Sequence, residues 1–179
     1  PYTTLFRSRT EEAIRNAFRQ IVMNLLGGIS FLIGLFACVL TMGTLSLSEF
    51  LLIGQVWPTV AVFAVTAFAF AGITKAAQMP FHTWLLGAMV APTPTSALLH
   101  SSTMVKAGVF LLVKLAPVLA LCPVPGGMLM FVGAVTFLVC SCLAITQSNA
   151  KRVLAYSTIA NLGLITACAG VGTDRKSVV

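Results

Sequence analysis

AGITKAAQMPFHTWLLGAMVAPTPTS, residues 71 to 96, leaves a long apolar stretch, meets Lys75, Gln78 and Pro80 in quick succession, and is stopped again by Pro92 and Pro94. Pro80 removes a backbone donor and disfavours helical geometry at Met79, while the two later prolines end whatever helix follows. The part from Met79 onward is too short and too interrupted to cross a membrane by itself and reads as a half-helix and a turn. Gly72, Pro80 and the polar run Thr74, Lys75 and Gln78 together resemble a discontinuous helix, a device that presents backbone groups and ion-binding side chains at membrane depth.

That reading needs a membrane, and the flanking sequence supplies one. Of 179 residues, 58% are hydrophobic and 8% charged, with a mean hydropathy of +0.99, whereas a soluble domain devotes roughly a quarter of its residues to charge. The apolar residues fall into blocks of about 20, the length needed to cross roughly 30 Å of hydrocarbon as a helix. Spans are expected from Gln20 to Met42, from near Trp57 and Pro58 to Lys75 or Gln78, from Ser96 to Val118, from Met128 to Thr146, and from Lys151 to Val171. CPVPGG (122–127) and TQSNAKR (146–152) read as turns. The fold class is therefore all-α, a polytopic membrane helix bundle of about five spans with one discontinuous helix.

A formal charge of +7, from 11 Lys and Arg against four acids, would suggest nucleic acid in a soluble chain. Here Arg9, Arg15 and Arg19 precede the first apolar block and Lys151 with Arg152 precede the last, where cytoplasmic anchors belong. Five crossings put both groups on one side. Lys114 lies toward the other side and can snorkel. Neither end has the order of a secretory signal. The cysteines (Cys38, Cys122, Cys140, Cys142, Cys168) lack metal-site spacing and read as small core residues.

Three ionisable residues stand out within the spans. Lys106 lies ten residues into its span, about 15 Å from the end, where a charge facing lipid costs about 2.5 kcal/mol or more; it should face protein or a wet cavity. Lys75 is an interfacial anchor if its span simply ends there, and a functional group if the helix breaks; spacing leaves both open. His100 shares a polar stripe with Ser96 one turn before and Thr103 one turn after, and it can relay a proton or sit neutral between helices. His100 and Lys106 are about 240° apart around the helix and share no face. His82, beside Trp84, reads as interfacial. No expected span contains Asp or Glu, so both lysines lack an acidic partner here, and buried charges need partners.

Residues 75 to 112, KAAQMPFHTWLLGAMVAPTPTSALLHSSTMVKAGVFLL, and residues 151 to 163, KRVLAYSTIANLG, resemble the antiporter-like membrane subunits shared by NADH:quinone oxidoreductase (chain 5/L, M and N type), Mrp cation/proton antiporters and energy-converting membrane hydrogenases. The resemblance covers most of residues 20 to 173. It implies that Lys75 is the lysine of the broken helix and His100 a central relay histidine, with Lys106 matching a lysine of the antiporter and hydrogenase branches. Leu86 and Gly87 depart from the Pro-Asp pair often found after HTWL in the family, which leans toward hydrogenase-type or Mrp-type relatives. It further implies about 14 helices in the whole subunit, an acid on an earlier helix, and proton movement by lysine and histidine. Flavin, iron-sulfur, NADH and quinone chemistry would sit only in partner subunits, making this chain part of a redox-driven ion translocase without a redox site. Its partners would be other membrane and redox subunits, the lipid bilayer and protons, with Na+ or K+ as further candidates, in a bacterial or archaeal cytoplasmic membrane. A secondary solute transporter segment and a structural anchor of a redox complex are the competing classes. The transporter would need a substrate pocket built from inverted repeats, and the anchor would tolerate neutral residues at 75, 100 and 106.

The two ends read as foreign. PYTTLFRS (1–8) can be encoded by CCCTACACGACGCTCTTCCGATCT, whose reverse complement in another frame encodes Asp174, Arg175, Lys176, Ser177, Val178, Val179 and a stop. Residues 1–8 and 174–179 are thus expected to be translated sequencing adapter, flanking a 9–173 fragment of a larger transmembrane domain. Reading the source DNA should return that one string at both ends; two unrelated nucleotide sequences there would refute the expectation.

Overall fold

Hydrocarbon offers backbone amides no water to bond, so a chain of this composition must satisfy them within helices. The computed structural model describes residues 11–43, 59–90, 104–119 and 122–171, and among these every regular element is helical. We number them α1 (Glu11–Met42), α2 (Thr59–Lys75), α3 (Thr83–Gly87, continued by a 3-10 turn Ala88–Val90), α4 (Met104–Leu119), α5 (Pro123–Ile145) and α6 (Ala150–Val171). The all-α membrane bundle with one discontinuous helix is what the structure contains.

Three stretches are long and apolar enough to cross a membrane, Ile14–Leu40, Pro123–Ile145 and Ala150–Val171. The described parts of α2 and α4, 17 and 16 residues, fall short of the roughly 20 needed. The adapter-like ends lie outside the described residues.

Two boundaries differ from expectation. α1 starts at Glu11 rather than Gln20, because EEAIRNAFRQ (11–20) is rich in helix formers and puts two acids at the positive end of the helix dipole. α5 starts at Pro123 rather than Met128, so most of the expected turn CPVPGG is helix. A proline in the first turn forfeits no hydrogen bond, since the amides there have no intrahelical acceptor. α6 begins where expected: Asn149 Oδ1 accepts from Lys151 N at 3.1 Å, an N-cap that ends the loop.

Small residues set the helix spacing. In the α5–α6 hairpin, Gly133 and Gly163 face each other so closely that a Cβ on Gly133 would lie 2.5 Å from Ala167 N and 2.6 Å from Gly163 O. Seven residues away on both helices, Gly126 and Gly170 repeat the arrangement. Such backbone-on-backbone packing maximises dispersion between helices where lipid removes the hydrophobic drive. α1 runs against α2, with Ser30 Oγ donating to Ala67 O at 2.9 Å and Phe31 tilted against Phe68. α4 covers the other side of α2 through Leu112 and Leu115, both fully buried.

Large apolar side chains such as Phe18, Leu25, Leu32, Phe36, Phe131 and Leu154 stand outside the described bundle, the reverse of a water-soluble surface. Gly133→Val should weaken the α5–α6 hairpin by about 1–3 kcal/mol, the range for overpacking. Gly127→Ala, with open space around it, should be neutral or stabilise by up to about 1 kcal/mol. Thermal unfolding of the detergent-solubilised chain checks both.

A broken helix at membrane depth

α2 stops at Lys75 by a complete helix-ending motif. Ala77 N donates to Thr74 O at 3.3 Å and Gln78 N donates to Ile73 O at 3.1 Å, the paired reversed bonds of a Schellman cap. The position that usually carries glycine holds Ala77 at φ +52, a left-handed conformation that costs an L-residue roughly 1–2 kcal/mol. Ala77 is fully buried, and the surrounding contacts hold it there. The chain then passes a cis Met79–Pro80 bond and resumes as α3 at Thr83.

Neighbouring helices satisfy the groups that the break frees. Met79 N donates to Thr136 Oγ1 of α5 at 3.0 Å, and that hydroxyl itself donates to Val132 O at 2.6 Å. Trp84 Nε1 reaches back to Thr74 O at 3.2 Å. Phe81 N donates to Gln78 O at 2.6 Å. Gly108 of α4 lets the break press against another backbone: a Cβ there would meet Ala76 N at 2.7 Å and Gly72 O at 2.9 Å.

Depth follows from helix geometry. Asn24, which touches Lys75, is ten residues past Ile14, about 15 Å along the 27-residue apolar stretch of α1. Thr136 is 13 residues past Pro123, about 20 Å into the apolar α5. The break therefore packs against the apolar stretches of α1 and α5 rather than against their ends.

Lys75 is the charged group at this depth. Its Nζ donates to Asn24 Oδ1 at 2.8 Å, and Asn24 Nδ2 donates to Gln20 O one turn back at 2.9 Å. Lys75 is half-buried, and no carboxylate approaches it among the described residues. Gln78 Oε1, His82 Nδ1 and both amide atoms of Gln20 are buried and without a hydrogen-bond partner among the described residues. Gln78 Oε1 faces Gly163, 3.2 Å from where a Cβ would be.

The sequence-derived candidates fall in different places. Lys75 is at the break. Gly72 lies inside α2 and serves close packing, since a Cβ there would come within 2.5 Å of Leu112 Cδ2. Pro80 is in the break, and His82 stands at its exit, where its carbonyl accepts from Leu85 N and Leu86 N at 3.1 and 3.4 Å. Lys106 is exposed near the start of α4, uncovered by the described elements. His100, Ser96 and Thr103 lie outside the described residues. Asn24, Gln20 and Thr136 were not singled out by sequence reasoning. Their signal was there, a polar side chain inside an otherwise apolar run, with Gln20 and Asn24 one turn apart. No group of three or more metal-ligating side chains occurs among the described residues.

An all-α bundle with a helix interrupted beside a lysine defines a polytopic membrane protein with one discontinuous helix. The family described as NADH:quinone oxidoreductase/Mrp antiporter, TM, matches residues 3–178, and the chain belongs to it. Among curated proteins, it is similar to "Putative antiporter subunit mnhA2" of Staphylococcus aureus, strains USA300 / TCH1516 and MRSA252. Each is 41% identical over 165 residues, covering 87% of this chain and 20% of the relative. The chain thus spans about a fifth of the length of these relatives. Among solved structures, a chain of the Mrp complex from Dietzia sp. DQ12-45-1b matches at a TM-score of 0.86 and 37% identity, over 92% of this chain and 18% of that one.

Ala77→Gly should stabilise by about 0.5–1 kcal/mol, because relief of the left-handed strain exceeds glycine's added chain entropy. Trp84→Phe should cost about 1 kcal/mol through the lost bond to Thr74 O. Opposite shifts in midpoint on thermal unfolding would bear this out, and a destabilised Ala77→Gly would refute the assigned cap.

Proposed function

We propose that this chain is part of a proton-translocating membrane subunit of the Mrp antiporter type, with Lys75 as a protonatable site on the path. The observation that carries the reading is the bond from Lys75 Nζ to a neutral amide, Asn24 Oδ1, beside the helix break. An ammonium and a neutral amine can each donate one hydrogen to that oxygen, so the lysine keeps its partner in both protonation states. A paired carboxylate would instead hold it charged. The likeness to relatives whose names include "antiporter subunit" and "Mrp complex" supports the branch.

In this reading His100 and Lys106 continue the path, with Ser96 and Thr103 supporting the histidine. His82, whose buried Nδ1 has no hydrogen-bond partner among the described residues, offers a proton exit at the end of the break. The acid that balances Lys75 in its charged state comes from outside this segment, on another part of the subunit or a neighbouring one. The chain needs no flavin, iron-sulfur cluster or quinone of its own. Other membrane subunits are its partners, Na+ or K+ the exchanged ion, and the bacterial cytoplasmic membrane its location.

Lys75→Met and Lys75→Arg, made in the subunit that carries this segment, should each lower proton translocation about a hundredfold or more while the complex still assembles. Arginine keeps the charge but cannot release the proton. Dye-reported pH gradients in inverted vesicles, beside a blot for assembled complex, give both readouts. Normal translocation in Lys75→Arg would show that the charge alone matters and overturn the relay.

A further inference from the structure

Just past the break, a cleft of about 280 Å³ opens between the start of α1, the short α3 and the start of α6. Asn16 and Arg19 line it from α1, Thr83 and Leu86 from α3, and Arg152 and Tyr156 from α6, with Gly87 beside Asn16. The two basic anchors seen far apart in the sequence thus meet in one place. No lining residue is acidic. Arg19 and Arg152 are both exposed at the cleft, and two guanidinium groups brought to one cleft are better accommodated with an anion between them. Arg152 adds to the imbalance, because it sits in the first turn of α6, where the helix dipole already favours negative charge and no acid is present.

The remaining lining groups suit the same kind of ligand. Arginine offers only donors, in a planar fork that matches phosphate oxygens. The Thr83 and Tyr156 hydroxyls and the Asn16 amide can add donors at the same cleft. Its volume is just below the roughly 300 Å³ at which drug-sized pockets begin, which is the scale of a small headgroup. Arg19 is five residues past Ile14, about 7.5 Å along α1 and near one end of its apolar stretch.

We propose that this cleft is a binding site for a phosphate-ester anion, gripped between Arg19 and Arg152. The source of the phosphate is an anionic phospholipid headgroup or free phosphate, and both have the chemistry the cleft recognises. The cleft shares no lining residue with the proposed proton path, so its occupancy is read by lipid retention rather than by translocation, and either proposal can fail alone.

The test uses the assembled complex, wild type and Arg19→Gln/Arg152→Gln, taken from nanodiscs of phosphatidylcholine with or without phosphatidylglycerol, with retained lipid counted by native mass spectrometry. The wild type should hold phosphatidylglycerol in preference to phosphatidylcholine, and the double variant should lose that retention roughly tenfold or more. Arg19→Lys/Arg152→Lys, which keeps the charge, should retain an intermediate amount and controls for folding. Inorganic phosphate that binds with the same dependence on both arginines, seen by ³¹P NMR, would support the site and assign it to free phosphate. Equal retention of the two lipids together with no arginine-dependent phosphate binding would overturn the proposal, as would unchanged phosphatidylglycerol retention in the double glutamine variant.

Discussion

A helix that stops inside a membrane must find other partners for the amides and carbonyls it frees, and the rest of this structure is arranged around that need. Each unsatisfied group would cost several kcal/mol in hydrocarbon. α2 meets the demand at Lys75 with a Schellman cap, and α5 meets it at Met79 with the Thr136 hydroxyl. Trp84 takes up the Thr74 carbonyl from the resumed helix. Side chains from one helix cannot do this alone, so the break exists only where α2, α3, α4 and α5 come together.

Close approach makes the meeting possible. Gly108 allows α4 to lie on the backbone at Ala76, and the facing Gly133 and Gly163 draw α5 and α6 into contact. Where a side chain would hold two helices several ångströms further apart, the reach from Thr136 Oγ1 to Met79 N would be lost. Packing of small residues is thus coupled to the chemistry of the break, although none of these glycines is ionisable.

The same constraint explains why the lysine sits where it does. Within the regular helix interior, backbone groups are already paired and offer nothing to an ion. At the break, half-buried Lys75 lies beside a polar face of α1 formed by Gln20 and Asn24. Its partner is a neutral amide, so among the described residues the lysine is hydrogen-bonded without being paired to a carboxylate.

Much of this was legible in the order of residues. Apolar blocks of about 20 require helices that cross lipid, and the cluster of Lys75, Gln78 and Pro80 marks an interruption because proline cannot continue a helix and charge resists burial. α6 starts at Ala150, one residue before the expected Lys151. Other features were not legible, because they depend on distance between helices rather than on periodicity along one. Sequence reasoning left Lys75 between anchor and functional group; its contact with Asn24, 51 residues away in the chain, packs it against the apolar stretch of α1. Gly72 looked like part of the break and is a packing surface for Leu112. Pro123 looked like turn and begins a helix, since the first turn has no bond for it to remove. Arg19 and Arg152 looked like separate anchors and line a single cleft. The sequence by itself determined the solvent, the helices and the place of the interruption, because these follow from local hydrophobicity and backbone chemistry. Only the tertiary structure decided which polar groups answer the interruption, because that choice depends on which backbones can approach within hydrogen-bonding distance.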